Sequence, residues 1–100
     1  MPFDSPFPRS FLASSIREYA PASSGVYGIS NASQWLLIDE TDNLQSALLA
    51  HLSGVDASLR GGNPTGFVIE ICDISQRAAR RQRLSSEYHP SCQGRSGQSR

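Results

Sequence analysis

Residues 25–40, GVYGISNASQWLLIDE, constrain the fold more than any other stretch of the chain. Two short apolar runs, GVYGI and WLLI, flank the polar segment SNASQ. Short β-type runs joined by turn-forming residues are typical of two antiparallel strands and their connecting turn. The sequence therefore predicts a hairpin with strands at about 25–30 and 35–39, and the rest of the chain has to pack against it.

The elements after the hairpin indicate a mixed α/β fold. Residues 42–52 carry leucines at helical spacing, and Asp42 followed by Gln45 resembles a capping box at the start of this helix. FVIEIC at 67–72 predicts a third strand, and a helix at roughly 75–88 follows it. The order predicts an α/β (α+β) fold, in which a three-stranded, mainly antiparallel sheet is flanked by helices.

The length of 100 residues fits one small domain. Residues 1–10, rich in Pro, Ser and Phe, are expected to be a partly ordered leader, and residues 94–100 a disordered tail. The domain itself is predicted to span 11–93, with 53–66 as a long connecting loop. No run approaches the roughly 18–20 apolar residues of a membrane span, so no membrane partner and a cytoplasmic location are expected.

The charges are unevenly distributed, although the formal net charge is zero. Residues 76–100 contain six arginines and one acid, whereas residues 1–75 contain three arginines and eight acids. Arg77, Arg80 and Arg83 lie within the predicted last helix, where they could follow a nucleic-acid backbone. Alternatively, the acidic and basic parts neutralise each other within the domain, or the arginines form a solvated helix face.

Several landmarks occur in order along residues 11–93. They are the GVY of the first strand, a second strand about ten residues later, the TDNLQ entry to a helix, the ALLAHL pattern inside it, and the final YHPSCQ. In this order the landmarks resemble the GIY-YIG nuclease family, which includes the N-terminal nuclease domain of the bacterial excinuclease C subunit. The resemblance covers nearly the whole predicted domain and implies the same fold.

The resemblance implies phosphodiester cleavage with one divalent metal, Mg²⁺ or Mn²⁺, and DNA as a partner. In that family a motif tyrosine lies near the nucleophilic water, an arginine lies on the first helix, and a glutamate on a later helix binds the metal. Tyr27 matches the motif tyrosine, and His51 matches a histidine common at its helix position. These two are the candidate catalytic residues that the sequence retains.

Five other positions depart from the family pattern. Leu37 replaces the tyrosine of the second motif, and Asp39 replaces its glycine. Ala47 replaces the helix arginine, Arg81 replaces the metal-binding glutamate, and Gln93 replaces an asparagine. Loss of a cation that stabilises phosphate charge, together with reversed charge at the metal position, predicts a domain that no longer cleaves and needs no cofactor. Such a pseudoenzyme would bind nucleic acid or a protein, the latter through the 53–66 loop or the acidic end of the hairpin.

Two other arrangements of the altered site are open. Asp39 and Glu40 could form a relocated metal site with Arg81 as the cation, which would make the chain a divergent metal-dependent DNA endonuclease. Alternatively, Asp39 and Arg81 form an ion pair across the abandoned site.

Overall fold

The computed structural model describes residues 8–31, 34–53 and 64–90 of the chain. The elements, in chain order, are β1 (Arg9–Ser10), α1 (Ala13–Tyr19), β2 (Gly25–Ser30), β3 (Trp35–Thr41), α2 (Leu44–Leu52), β4 (Gly66–Ile71) and α3 (Ile74–Tyr88). The predictions for most of the 53–66 loop and for the 94–100 tail lie outside these residues.

The four described strands form one antiparallel sheet in the order β1-β4-β2-β3. The α+β class and the antiparallel sheet are confirmed. The short strand β1 was not predicted, because Arg9–Ser10 belongs to the stretch expected to be a partly ordered leader. Two contacts hold this stretch in place: the Phe11 N–H donates to the Thr65 oxygen at 2.9 Å, and the Arg9 guanidinium lies 3.8 Å from the centre of the Tyr19 ring.

The helix α2 begins with a different cap from the one predicted. The side chain of Asn43, not Asp42, accepts a hydrogen bond from the Ser46 N–H at 3.0 Å. The expected capping box between Asp42 and Gln45 is not formed, because the Gln45 backbone N–H donates instead to the Pro21 oxygen at 3.2 Å. The Gln45 side-chain amide donates to the Ala20 oxygen at 3.1 Å. This bond ties the first turn of α2 to the end of α1.

The helix α3 is the longest element, with 15 residues. It begins after Asp73, whose carboxylate accepts a hydrogen bond from the Ser75 N–H at 3.0 Å. It ends at His89, which has the left-handed φ of 51°. In the part of the chain that the structure describes, no helix is long and apolar enough to cross a membrane.

The central strand β2 alternates its side chains between two layers of helices. Tyr27 and Ile29 face α1 and α2, whereas Val26 faces α3. Apolar side chains fill both layers. Buried residues on the α1 and α2 side are Phe11, Ile16, Ala20, Tyr27, Ile29, Leu36, Leu37, Leu44, Leu48 and Phe67. Those on the α3 side are Val26, Ile38, Val68 and Leu84.

A register shift at the start of β3 brings Trp35 onto the α3 side. The shift falls between Ile29 and Ser30, so Ser30 pairs with Trp35 while Ile29 pairs with Leu37. The Trp35 ring packs on the Tyr88 ring, with 4.7 Å between their centres. This contact connects the end of α3 to the start of β3, so both aromatic rings contribute to the packing of the domain.

Candidate functional site

The two family-matching residues, Tyr27 and His51, lie together. Tyr27 is in β2 and is 3% exposed, and His51 is in the last turn of α2. The Tyr27 hydroxyl and His51 Nε2 share a hydrogen bond of 2.8 Å, and their ring centres are 5.6 Å apart. An imidazole at this distance can hold or move a proton at the tyrosine oxygen. The hairpin and α2 therefore assemble one polar pair at the border of the apolar layer.

Three of the altered family positions lie on the same side of the sheet as this pair. Asp39 is the cross-strand partner of Tyr27 and is buried, with 5% exposure. Leu37 is packed in the apolar layer, and Ala47 packs against that layer from α2. The position at which the resemblance expects a helix arginine thus carries a methyl group facing apolar neighbours.

Arg81 and Glu40 form a contact on the other side of the sheet. The Arg81 Nε lies 3.7 Å from one Glu40 oxygen, and the Arg77 Nε donates to the other at 3.1 Å. Arg77 also donates through Nη1 to the Ser24 hydroxyl at 3.0 Å. The predicted Asp39–Arg81 pair is wrong, because Asp39 faces α2 whereas its neighbour Glu40 faces α3, and α3 carries Arg81.

A relocated metal site at Asp39 and Glu40 does not fit this geometry. Successive side chains of a strand project to opposite faces, so the two carboxylates cannot hold one ion together. Both oxygens of Glu40 also face guanidinium groups. Within 8–31, 34–53 and 64–90, no three His, Cys, Asp or Glu side chains come together as metal ligands. Asp39 and Glu40 therefore do not form the shared cation site that was one of the two alternatives.

The arginines predicted to contact nucleic acid have different environments. Arg80 donates to both carboxylate oxygens of Glu70, at 2.6 and 2.8 Å, and Arg77 is bound to Glu40. Arg83 instead lies exposed on the outer side of α3, where it lines an open depression with Ala79, Gln82 and Ser86. Two of the three predicted residues thus hold α3 on the sheet. Gln93 lies outside the described residues.

Sequence reasoning missed the acceptors that hold these arginines. Ser24, Glu40 and Glu70 precede their arginine partners by 53, 37 and 10 residues. Because the pairs span different elements, no local spacing shows them. One signal was present: Glu70 interrupts the apolar strand GFVIEI, and a charged residue within such a strand requires a partner.

No protein-family profile and no curated protein sequence matches the chain. Among solved structures, it is similar to the GIY-YIG N-terminal endonuclease domain of UvrC from Thermotoga maritima bound to its catalytic divalent cation, magnesium. The TM-score is 0.64 at 20% identity, and the match covers 77% of this chain and 93% of that one. A point mutant of the same domain, bound to the cation, gives a TM-score of 0.62 at 19% identity, covering 77% and 92% of the two chains. At this identity the similarity establishes the fold, and the chain therefore has the GIY-YIG-like fold that its sequence landmarks predicted.

Proposed function

We propose that this GIY-YIG-like domain does not cleave phosphodiester bonds and acts as a nucleic-acid interaction module. The contact between Arg81 and Glu40 carries the proposal. By the resemblance, Arg81 occupies the position of the metal-binding glutamate. A guanidinium there cannot bind a divalent cation and repels one, and its Nε lies 3.7 Å from a Glu40 oxygen.

The loss of a helix cation supports the same proposal. The side chain of Ala47 packs against the apolar layer and offers no charge to a phosphate. Removing one group that stabilises developing charge typically costs a factor of about 10²–10³ in rate. With the reversed charge at Arg81, two separate requirements of metal-assisted cleavage fail in the same chain.

Nucleic acid is the favoured partner because the fold is that of a nuclease domain and because one arginine of α3 faces outward. Arg83 is exposed, whereas the guanidinium groups of Arg77 and Arg80 are bound to Glu40 and Glu70. The proposed contact surface is therefore the outer side of α3 around Arg83. Arg95 and Arg100, which follow in the sequence, would add charge to it.

A DNA titration followed by fluorescence anisotropy, run with a cleavage assay in Mg²⁺ and in Mn²⁺, tests the proposal. We expect binding that weakens steeply with salt and no nicking at high protein concentration. Arg83→Ala should weaken binding with unchanged stability, whereas Arg80→Ala, the matched control on the same helix, should mainly lower stability. Absent or salt-independent binding would refute the nucleic-acid module and favour a protein partner.

The second candidate function is a divergent metal-dependent DNA endonuclease. The 2.8 Å hydrogen bond between Tyr27 and His51 favours it, because this pair retains a group able to accept a proton. Nicking that depends on Mg²⁺ or Mn²⁺ and disappears in Tyr27→Phe would establish this function. The cation would then have to be held by groups other than the pair Asp39 and Glu40, whose side chains project to opposite faces of the sheet.

A further inference from the structure

Arg81 is an incompletely satisfied guanidinium between α3 and the sheet. Its Nε is buried, and no acceptor among the described residues lies within hydrogen-bond distance of it. A Glu40 oxygen lies 3.7 Å away, too far for a hydrogen bond, so Coulomb attraction alone joins the two groups. A buried charged donor without an acceptor costs free energy, and this cost favours the binding of a further acceptor.

Two guanidinium groups of α3 share the carboxylate of Glu40. Arg77 and Arg81 are four residues apart, so they lie on the same face of the helix. The Arg77 Nε donates to one Glu40 oxygen at 3.1 Å, while the Arg81 Nε lies beside the other oxygen. Arg77 also donates Nη1 to the Ser24 hydroxyl at 3.0 Å. These three charged side chains, the Glu40 cluster, therefore hold two positive charges against one negative charge.

The neighbouring acids do not supply the missing negative charge. Glu70 accepts two hydrogen bonds from Arg80, at 2.6 and 2.8 Å, so its charge is already matched. Asp73, which precedes α3, is exposed and accepts its hydrogen bonds from Ser75. Among the described residues, the excess positive charge between α3 and the sheet therefore belongs to the Glu40 cluster.

The Glu40 cluster is partly accessible to solvent. The side chains of Arg77, Arg81 and Glu40 are 17%, 20% and 18% exposed. Because the Arg81 Nε is itself buried, the exposed fifth of that side chain lies on its other atoms. Partial burial strengthens an ionic interaction relative to open solvent. It also admits a small ion rather than the backbone of a duplex.

We propose that Arg77 and Arg81 form a binding site for a small oxoanion of the phosphate class, and that Glu40 competes with this ligand for their donors. Each guanidinium has five N–H donors in a planar fork, which matches the oxygens of a phosphate group. Two such forks on one helix face can bind one tetrahedral ion. The ligand is inorganic phosphate or the phosphate of a small monoester. The site is separate from the outer side of α3 around Arg83 and does not depend on the proposed nucleic-acid function.

Titration of the full chain with inorganic phosphate at constant ionic strength, followed by NMR of the arginine Nε–H groups, tests the site. The signals of Arg77 and Arg81 should shift to saturation, whereas that of Arg83 should not. Arg81→Met should weaken binding about tenfold or more, because it removes charged hydrogen-bond donors. Glu40→Gln keeps the shape of the side chain and removes the competing charge, so it should tighten binding. Arg83→Met, which removes the same charge from the outer side of α3, is the matched control and should bind as the wild type does.

A parallel titration with adenosine monophosphate separates the two sources of the ligand. Tighter binding of the nucleotide than of inorganic phosphate identifies a monoester, and equal or weaker binding identifies the free ion. The absence of a saturable shift with both compounds overturns the proposal, and the wild-type spectra decide this point without any variant. Weaker binding in Glu40→Gln, or an equal loss in Arg83→Met, overturns it as well. DNA binding through Arg83 is measured in its own titration, so failure of the oxoanion site leaves that result unchanged.

Discussion

Replacing Glu70 with glutamine should weaken the attachment of α3 to the sheet by about 2 kcal/mol. Arg80 donates Nε and Nη2 to the two Glu70 oxygens at 2.6 and 2.8 Å. The side chains are 15% and 12% exposed. An exposed ion pair contributes about 0–1 kcal/mol, and breaking a fully buried one costs about 3–5 kcal/mol. Because both side chains are partly exposed, the cost of Glu70→Gln should lie between these two values.

Urea denaturation measures this effect directly. With a slope of about 1 kcal/mol/M, typical of a small protein, the midpoint should fall by about 2 M. A double-mutant cycle with Arg80→Met should give a coupling of about 1–2 kcal/mol, because the double variant leaves no charge without its partner. Glu18→Gln, exposed on α1, controls for the loss of one negative charge. Additive single effects, or a midpoint equal to that of Glu18→Gln, would refute the view that this ion pair holds α3.

Three further substitutions test other parts of the fold. Leu84→Ala should lower the free energy of unfolding by about 2–5 kcal/mol in a urea titration, because Leu84 is 0% exposed and is the one buried side chain of α3 within its described length. Gly25→Ala should cost about 1–3 kcal/mol, visible as a lower melting temperature, because a Cβ would overlap the backbone oxygen of a neighbouring strand and lie 2.9 Å from Leu44 Cδ1. Hydrogen bonds from the Ser75 hydroxyl and then from its N–H lower the pKa of Asp73 below its ordinary value of 3.8. Because this folded-state pKa is depressed, the cap stabilises α3 above the ordinary pKa and is lost as the pH falls through the lowered one. In a helicity measurement from neutral to acid pH, Asp73→Asn should therefore lose this dependence.

The hairpin, α2, β4 and α3 could be predicted from the sequence because each has a local signal. The apolar runs of the strands and the leucine spacing of α2 depend on neighbouring residues alone. The strand β1 could not be predicted, because two residues carry no periodicity. Its position depends on distant contacts of Arg9 and Phe11.

The side of α3 that faces the sheet was harder to predict. Its alanines Ala78 and Ala79 are exposed, although small apolar residues on a helix often face the core. Three arginines, Arg77, Arg80 and Arg81, are instead half-buried, as are Ser85 and Tyr88. Arginine stems can cover apolar surface while their charged ends find acceptors, so a hydrophobic pattern alone does not locate such a face.

The roles of the candidate site residues stay predictions, whereas their geometry can be compared with the structure. Tyr27 and His51 were named from the resemblance, and the structure brings them together. The pairing of Asp39 with Arg81 was wrong because it treated neighbouring strand residues as if they shared one face. Alternation along β3 assigns Asp39 to one side and Glu40 to the other, and this simple rule was available in the sequence.

The alternation of side chains along β3 also helps to explain where the basic and acidic parts of the chain meet. The basic last quarter left two interpretations open, an anionic partner or neutralisation within the domain, and Arg77, Arg80 and Arg81 follow the second by meeting Glu40 and Glu70 between α3 and the sheet. These ion pairs hold the three guanidinium groups within the domain. Under the proposed nucleic-acid function, the contacts would therefore fall on arginines outside this interface, and we expect Arg83→Ala to weaken binding without lowering stability because Arg83 is exposed.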